Sequence, residues 1–311
     1  VNIIFLGTPE FAVPTLKSLA QSDHKVLVDI SQPDRPRNRG MQLAPPPIKK
    51  TAINLGIPVL QPQKASAPPV VKEIDRFGAD AAVVVAYGQL LKPNFLSAFR
   101  YGCINLHASL LPKYRGPSPI QAAILAGDQE TGVTTMLLNE GMDTGDILLQ
   151  RIIEIKEEDT AGTLHEKLAA VGAPLVVETL DRIERREIIP QPQDEKQASI
   201  THKITKADAK INWNRPAKGI FDQARAFDPW PGCETTLHGR LLKIWKVVRA
   251  DGSEKQGEPG EVLVAEDDKL IVKVRDGALR IQELQPAGGK RMPSADFLRG
   301  HPISPGAVLG A

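Results

Sequence analysis

The 311-residue chain has only two cysteines, Cys103 and Cys233, far apart in sequence. That spacing excludes a disulfide scaffold and points to a reducing cytoplasm. Aromatic residues make up 5%, so core packing must come from Val, Leu, Ile and Ala. No apolar run approaches the roughly 18–20 residues of a membrane span, and no charged segment precedes an apolar leader, so neither membrane nor export is expected. Charge of one sign is missing as well, with 39 Lys+Arg against 37 Asp+Glu and a net charge of +2. The opening turn, Gly7-Thr8-Pro9-Glu10-Phe11-Ala12, has one glycine where a dinucleotide fingerprint needs three. There is no Walker A sequence, and the histidines are isolated. No NAD site and no metal site are expected.

What is present is an ordinary globular composition, 41% hydrophobic and 24% charged, which excludes collagen-like, disordered and coiled-coil classes. The length suits two domains. Ile3–Leu6 reads as a buried strand, with Thr8 as N-cap of a helix that starts at Pro9 and runs through Leu19. Further strands are expected at Lys25–Ser31, Ala81–Ala86, Cys103–Leu106, Val133–Leu138 and Ile147–Ile155. Helical patterns fall at Pro69–Phe77 and Pro119–Ala126, and a capping box at Thr163 and Glu166 opens a long amphipathic helix. Strand–helix alternation with continuous apolar strands predicts an α/β domain with a Rossmann-like, mainly parallel sheet over residues 1–189. Residues 190–206 are polar and Pro/Gln-rich and read as a linker. Residues 207–311 hold five short alternating strands separated by turn signals such as His238-Gly239 and Asp276-Gly277, which predicts a small β-barrel.

Charge is distributed more tellingly than its total suggests. Between Lys203 and Arg249 ten Lys/Arg face four acids, Asp208, Asp222, Asp228 and Glu234, a local charge of +6. A Pro/Gly-rich loop adds Arg35, Arg37, Arg39, Lys49 and Lys50 against Asp34. Either cluster alone is as well explained by a solvated surface; together they favour a polyanionic partner.

The chemistry centres on CINLHASLLPKYRG, residues 103–116. Asn105 and His107 alternate with Ile104 and Leu106, so both polar side chains share one strand face. They lie at the strand's C-terminal end, where open α/β sheets bind ligands. The run GMDTGD, residues 141–146, joins two further strands and brings Asp143 and Asp146 to a sheet edge. An amide, an imidazole and a carboxylate that converge would suit acyl transfer to an amine, since they supply an oxyanion donor, a proton carrier and a group that orients it. No Ser or Cys nucleophile elbow is present, which favours direct transfer. An isolated strand-end histidine is more often structural, and turns favour aspartate. The residues alone leave amide, ester and formyl transfer open.

The run NLHASLLPKYRGPSPIQAAILAGDQETGVT, followed by GMDTGDIL, resembles the folate-dependent formyltransferases. The loop QPDRPRNRG, the run VVVAYGQLL and the later segments KITKADAKINW, RAFDPWPG and LQPAGGKRM extend the likeness over essentially the whole chain. Within that superfamily they resemble the branch that formylates methionyl initiator tRNA. The resemblance implies 10-formyltetrahydrofolate as formyl-donor co-substrate and the α-amino group of charged initiator tRNA as acceptor, with no metal and no NAD. Asn105, His107 and Asp143 match the catalytic trio, and Ser109, Leu110, Leu111 and Pro112 match the folate-contacting loop. Val85, Ala86, Tyr87 and Gly88 would wall the pterin pocket. Arg35, Arg37 and Arg39 would meet the tRNA acceptor end, and Lys203, Lys206 and Lys243 on the C-terminal side would bind the rest of the tRNA together with a barrel similar to an OB fold. A cytoplasmic monomer is expected. The nearest alternative is a formyltransferase acting on an amino sugar nucleotide; AYGQLL and the arginine-rich loop favour tRNA.

Overall fold

The computed structural model describes residues 1–37, 42–250 and 256–310. Two compact units emerge, one of residues 1–119, 130–154 and 165–201, the other of residues 120–129, 155–164 and 202–311. The unit boundary, between Thr201 and His202, falls inside the segment read as a linker, and residues 190–201 pack with the first unit.

The chain opens with β1 (Asn2–Gly7), which leads through a 3₁₀ turn to α1 (Val13–Ala20), β2 (Lys25–Ile30) and a two-stranded ribbon of β3 (Arg35–Arg37) and β4 (Gln42–Ala44). There follow α2 (Pro47–Asn54), β5 (Val59–Leu60), α3 (Pro68–Asp75), β6 (Ala81–Val85), α4 (Pro93–Leu96), β7 (Cys103–His107), α5 (Pro119–Ala126), β8 (Glu130–Leu137), β9 (Ile147–Glu154) and α6 (Ala161–Glu184). All of these lie in the first unit except α5 beyond Pro119 and the first turn of α6, which fall in the second. The large sheet has the order β5-β2-β1-β6-β7-β8-β9. The strands from β5 to β7 are parallel, and β8 and β9 continue the sheet antiparallel. The apolar run of β1 explains its central place: Ile3, Ile4, Phe5 and Leu6 are fully buried, as expected where both faces are covered. Strand order reverses between β1 and β6, so their C-terminal ends flank the crevice in which such sheets bind ligands.

Two local expectations are corrected. Thr8 caps no helix; Glu10–Ala12 form a 3₁₀ turn, the α-helix starts at Val13, and the Thr8 hydroxyl instead donates 3.0 Å to the Tyr87 carbonyl at that crevice. The long helix is capped a turn earlier than the Thr163–Glu166 pattern suggests: the Thr160 amide donates to Thr163 Oγ1 and the Thr163 amide to Thr160 Oγ1. On either side of residues 38–41 the basic loop forms a short ribbon, in which Arg35 pairs with Ala44 and Arg37 with Gln42.

The second unit contains α7 (Ala217–Ala226), the strands β10 (Cys233–Leu237), β11 (Arg240–Arg249), β12 (Val262–Glu266), β13 (Lys269–Val274), β14 (Gly277–Pro286) and β15 (Met292–Pro293), and α8 (Ser294–Gly300). The antiparallel order is β10-β11-β14-β13-β12, with β15 on β14. Among the described residues its two edges are not joined by a continuous ladder. The chain end laces them instead: Leu237 bridges to Leu309 and Glu261 to Val308. The barrel expected from the strand spacing is thus an antiparallel sheet with its edges linked by single bridges.

Candidate active site

β7 places the chemistry. Its apolar residues Ile104 and Leu106 are buried against one face, and the alternation turns Asn105 and His107 to the other. Asn105 is 8% exposed and His107 6%. The Asn105 amide has no hydrogen-bond partner among the described residues, so its N–H groups remain available to a ligand. His107 is held at one ring nitrogen and open at the other. Nε2 lies 2.9 Å from the Tyr114 carbonyl, an acceptor only, so this nitrogen holds the proton. Nδ1 faces Asp143 Oδ2 at 3.7 Å, an ion-pair separation too long for a hydrogen bond.

The Asp143 carboxylate is in turn aimed by the Gly116 amide, which donates to the same Oδ2 over 2.8 Å. Asp143 and Tyr114 both have left-handed backbone, at φ +53° and +61°. A non-glycine residue there is held by its surroundings. The structure therefore brings His107 and Asp143 together and sets Asn105 beside them on the same strand face. Asp146 follows in the same turn, and its carbonyl accepts from the Leu137 amide.

The loop after β7 is fixed from β8 and β9. The Thr134 hydroxyl donates 2.6 Å to the Ser109 carbonyl and accepts from the Leu111 amide at 3.1 Å. Gln150 Nε2 donates 2.9 Å to the Leu111 carbonyl. Ser109 Oγ donates 2.6 Å to the Lys113 carbonyl. Ser109 and Leu111 are thereby buried, while Leu110 and Pro112 are partly exposed. Across β6, Val84 pairs with Asn105, so Ala86 continues the strand at the level of His107. Ala86 and Gly88 adopt left-handed backbone at φ +49° and +85°, which exposes both and buries Val85 and Tyr87. The Tyr87 carbonyl accepts from Thr8 Oγ1 and from Gln32 Nε2. Beneath it, burial pushes the Asp29 carboxyl up to about 8, and burial together with Asp29 pushes the Tyr87 hydroxyl up to about 12. Burial also pushes the Cys103 thiol up to about 12, which removes it as a nucleophile.

The cationic residues separate into two kinds. All four acids of the Lys203–Arg249 segment are already paired: Asp208 with His202, Asp222 with Lys218 and Arg225, Asp228 with Arg291, and Glu234 with Lys243. Lys203, Lys206, Lys210, Arg240, Lys246 and Arg249 are exposed and without ion pairs among the described residues. Lys243 differs, for its ammonium sits 3.2 Å from Glu234 and donates 2.7 Å to the Pro231 carbonyl. In the basic ribbon Arg35 is exposed and donates 3.3 Å to Gln32 Oε1. Arg37 lies on β3, and Arg39 lies outside the described residues.

Sequence reasoning missed Thr134, Gln150 and Tyr114 as supports of the site. They act through backbone atoms or across strand pairs, which no local motif displays.

Residues 1–180 match the formyl transferase family, and residues 203–302 match the formyl transferase C-terminal domain. A methionyl-tRNA formyltransferase of Citrifermentans bemidjiense is 45% identical over 310 residues, 100% of this chain and 96% of that one. Another from Caldanaerobacter subterraneus subsp. tengcongensis is 46% identical over 312 residues, 99% and 100% of the two chains. The chain belongs to the methionyl-tRNA formyltransferase family. Solved structures agree on the fold. An N-formyltransferase of Helicobacter canadensis, crystallised with folinic acid and dTDP-3-aminofucose, has a TM-score of 0.67 at 20% identity, covering 93% of this chain and 99% of that one. HypX of Aquifex aeolicus has a TM-score of 0.65 at 20% identity; the match covers 96% of this family member but only 48% of HypX.

Proposed function

We propose that the chain transfers the formyl group of 10-formyltetrahydrofolate to the α-amino group of methionyl initiator tRNA, acting as a monomer in the cytoplasm. The observation that supports this reading best is the unpartnered amide of Asn105 on the strand face that presents His107, itself facing Asp143. Asn105 is mostly buried while its amide head is still reached by solvent and has no internal partner, which suits a donor for an oxyanion that forms only during reaction. The residues around it fit a folate. Exposed Ala86 and Gly88 border the crevice where the sheet order reverses, and the rigidly bonded loop Ser109–Pro112 lies on the other side of β7's end.

In the reaction the neutral methionyl amine forms a bond to the formyl carbon. Asn105 donates to the oxygen as it gains negative charge. The bond from the formyl carbon to the folate nitrogen then breaks, and the amine's proton passes to that nitrogen. His107, with Nδ1 turned to Asp143, is the group placed to carry it, and Asp143 holds the ring and stabilises its charged form during transfer. No side chain forms a covalent intermediate, consistent with the inert thiol of Cys103. The exposed cations of the second unit and of the β3–β4 ribbon would meet tRNA phosphates.

The test is to incubate the protein with 10-formyltetrahydrofolate and methionyl initiator tRNA and to look for formyl-methionine. Transfer to an amino sugar nucleotide, with none to the charged tRNA, would overturn the assignment.

A further inference from the structure

The segment from Gln191 to Thr201 reads in the sequence as a solvated connector, yet it touches both the loop after β7 and the Asp143 turn. Gln191 pairs with Ile147 at the start of β9. Gln193 Nε2 donates 2.8 Å to the Asp143 carbonyl and 2.7 Å to the Gly145 carbonyl. Its Oε1 accepts 2.9 Å from Arg115 Nε. Arg115 is 4% exposed, and its two terminal nitrogens fork onto Glu195 at 3.0 and 2.8 Å. Ser199 Oγ accepts 2.8 Å from the amide of Tyr114, the residue with its carbonyl on His107. Thr201 packs on Gly116 so closely that a Cβ there would sit 2.9 Å from the Thr201 carbonyl. Gly116 is the residue whose amide aims the Asp143 carboxylate.

We propose that Gln193 is a positioning residue for formyl transfer. Bridging the buried Arg115 and the two carbonyls on either side of Thr144, it clamps Asp143 in its left-handed conformation and so sets the carboxylate against His107. This rests on the formyl-transfer reading above. The physical warrant is the combination of a strained residue and its restraint. A left-handed non-glycine residue persists only where its surroundings over-determine it, and here one primary amide spends both N–H groups on the carbonyls of that turn. Asn139 Oδ1 also ties the turn, accepting from the Gly141 amide and the Thr144 hydroxyl, but Gln193 is the side chain that holds the Asp143 carbonyl itself.

The test is a double-mutant cycle on turnover. Gln193→Met keeps length and bulk but loses every hydrogen bond. It should lower kcat by about 10–100-fold and leave KM for the folate and for the acceptor within about 3-fold, because a misplaced carboxylate affects the chemical step more than binding. In an Asp143→Ala background the same substitution should cost less than about 3-fold more. Should Gln193→Met fail to fold, Gln193→Glu keeps the acceptor for Arg115 but sets a carboxylate oxygen against the two carbonyls that the amide held, and has the same expected result. A full multiplicative loss in the Asp143→Ala background, or turnover within about 3-fold of wild type in the single variant, would overturn the proposal. The cycle is measured on whichever amine the wild-type protein formylates. Failure of the tRNA assignment therefore shows in the wild type, and failure of the clamp shows only in the cycle.

Discussion

The end of the first unit's sheet and the cationic surface of the second unit solve different problems with different materials. At the sheet end His107 is buried, its Nε2 bonded to one carbonyl and its Nδ1 facing one carboxylate, and that carboxylate is fixed by a backbone amide. Lys203, Lys206, Lys210, Arg240, Lys246 and Arg249 are exposed and unpaired among the described residues. Chemistry at one carbon needs atoms placed to a fraction of an ångström, so each group at the sheet end is irreplaceable. A polyanion is met by summed charge, so each cation contributes a small and nearly additive share. The contrast predicts steep, coupled losses in the first region and shallow, additive ones in the second.

The steepest loss should follow Asn105→Ala. Removal of one oxyanion donor costs roughly 10²–10³ in turnover at comparable sites, while folate affinity should change little because the bond matters in the transition state. Turnover within a few-fold of wild type would make Asn105 structural and weaken the contrast. Coupling comes next. His107→Ala and Asp143→Ala should each lower turnover strongly, and the double variant should fall far short of the product of the two, since the groups face each other at 3.7 Å. Independent losses would place them in separate steps.

These expectations draw on residues that are legible in the chain, and the reason is physical. Asn105 and His107 lie on one strand, where a period of two puts them on one face whatever the tertiary context. The parallel strands are equally readable, because β1 and β6 are continuous apolar runs covered on both faces. Local patterns mislead where long-range contacts override them. Thr8 has the composition of a cap, but its hydroxyl serves Tyr87 across the sheet. Most of residues 190–200 do face water, but half-buried Gln193 spends its amide on the carbonyls of the Asp143 turn, and the Ser199 and Thr201 amides donate to the Pro112 and Arg115 carbonyls. Polar composition cannot distinguish these two uses. Lys243 shows the same limit for charge, since Glu234 is its cross-strand neighbour only once β10 and β11 are paired.

A smaller effect tests the buried side of the comparison through stability. Both Asp29 carboxyl oxygens are buried without a hydrogen-bond partner among the described residues, and the group titrates near 8 in the folded protein against about 4 unfolded. Between these values the native state holds a proton that the unfolded chain has released, so stability falls as pH rises from about 4 to about 8. Asp29→Asn cannot ionise and should escape that loss. Its melting temperature relative to wild type should therefore rise from pH 5 to pH 9, the stability difference growing by at most about 1.4 kcal/mol per pH unit. A difference that does not vary with pH would mean that Asp29 is not buried as a neutral acid.

The shallowest effect separates the cations from one another. Replacing Lys203 and Lys206 by Gln should flatten the salt dependence of tRNA binding by roughly 0.7–0.9 log units of slope for every phosphate left unneutralised, with turnover at saturating tRNA nearly unchanged. Neutralising exposed Arg35 together with Arg37 should flatten the slope similarly and also raise the apparent KM for charged tRNA. Lys243→Gln should leave the slope where it is. Its ammonium is already held by Glu234 and the Pro231 carbonyl, and an anion that is to displace them must break both interactions. The expected result is a modest loss of local stability, seen as faster amide exchange along β10 and β11, with tRNA affinity unaltered at every salt concentration. A Lys243→Gln slope as flat as that of the Lys203 and Lys206 variants would show that the Glu234 pair opens to release Lys243 to a phosphate. The distinction between paired and unpaired cations would then fail as a guide to which of them bind.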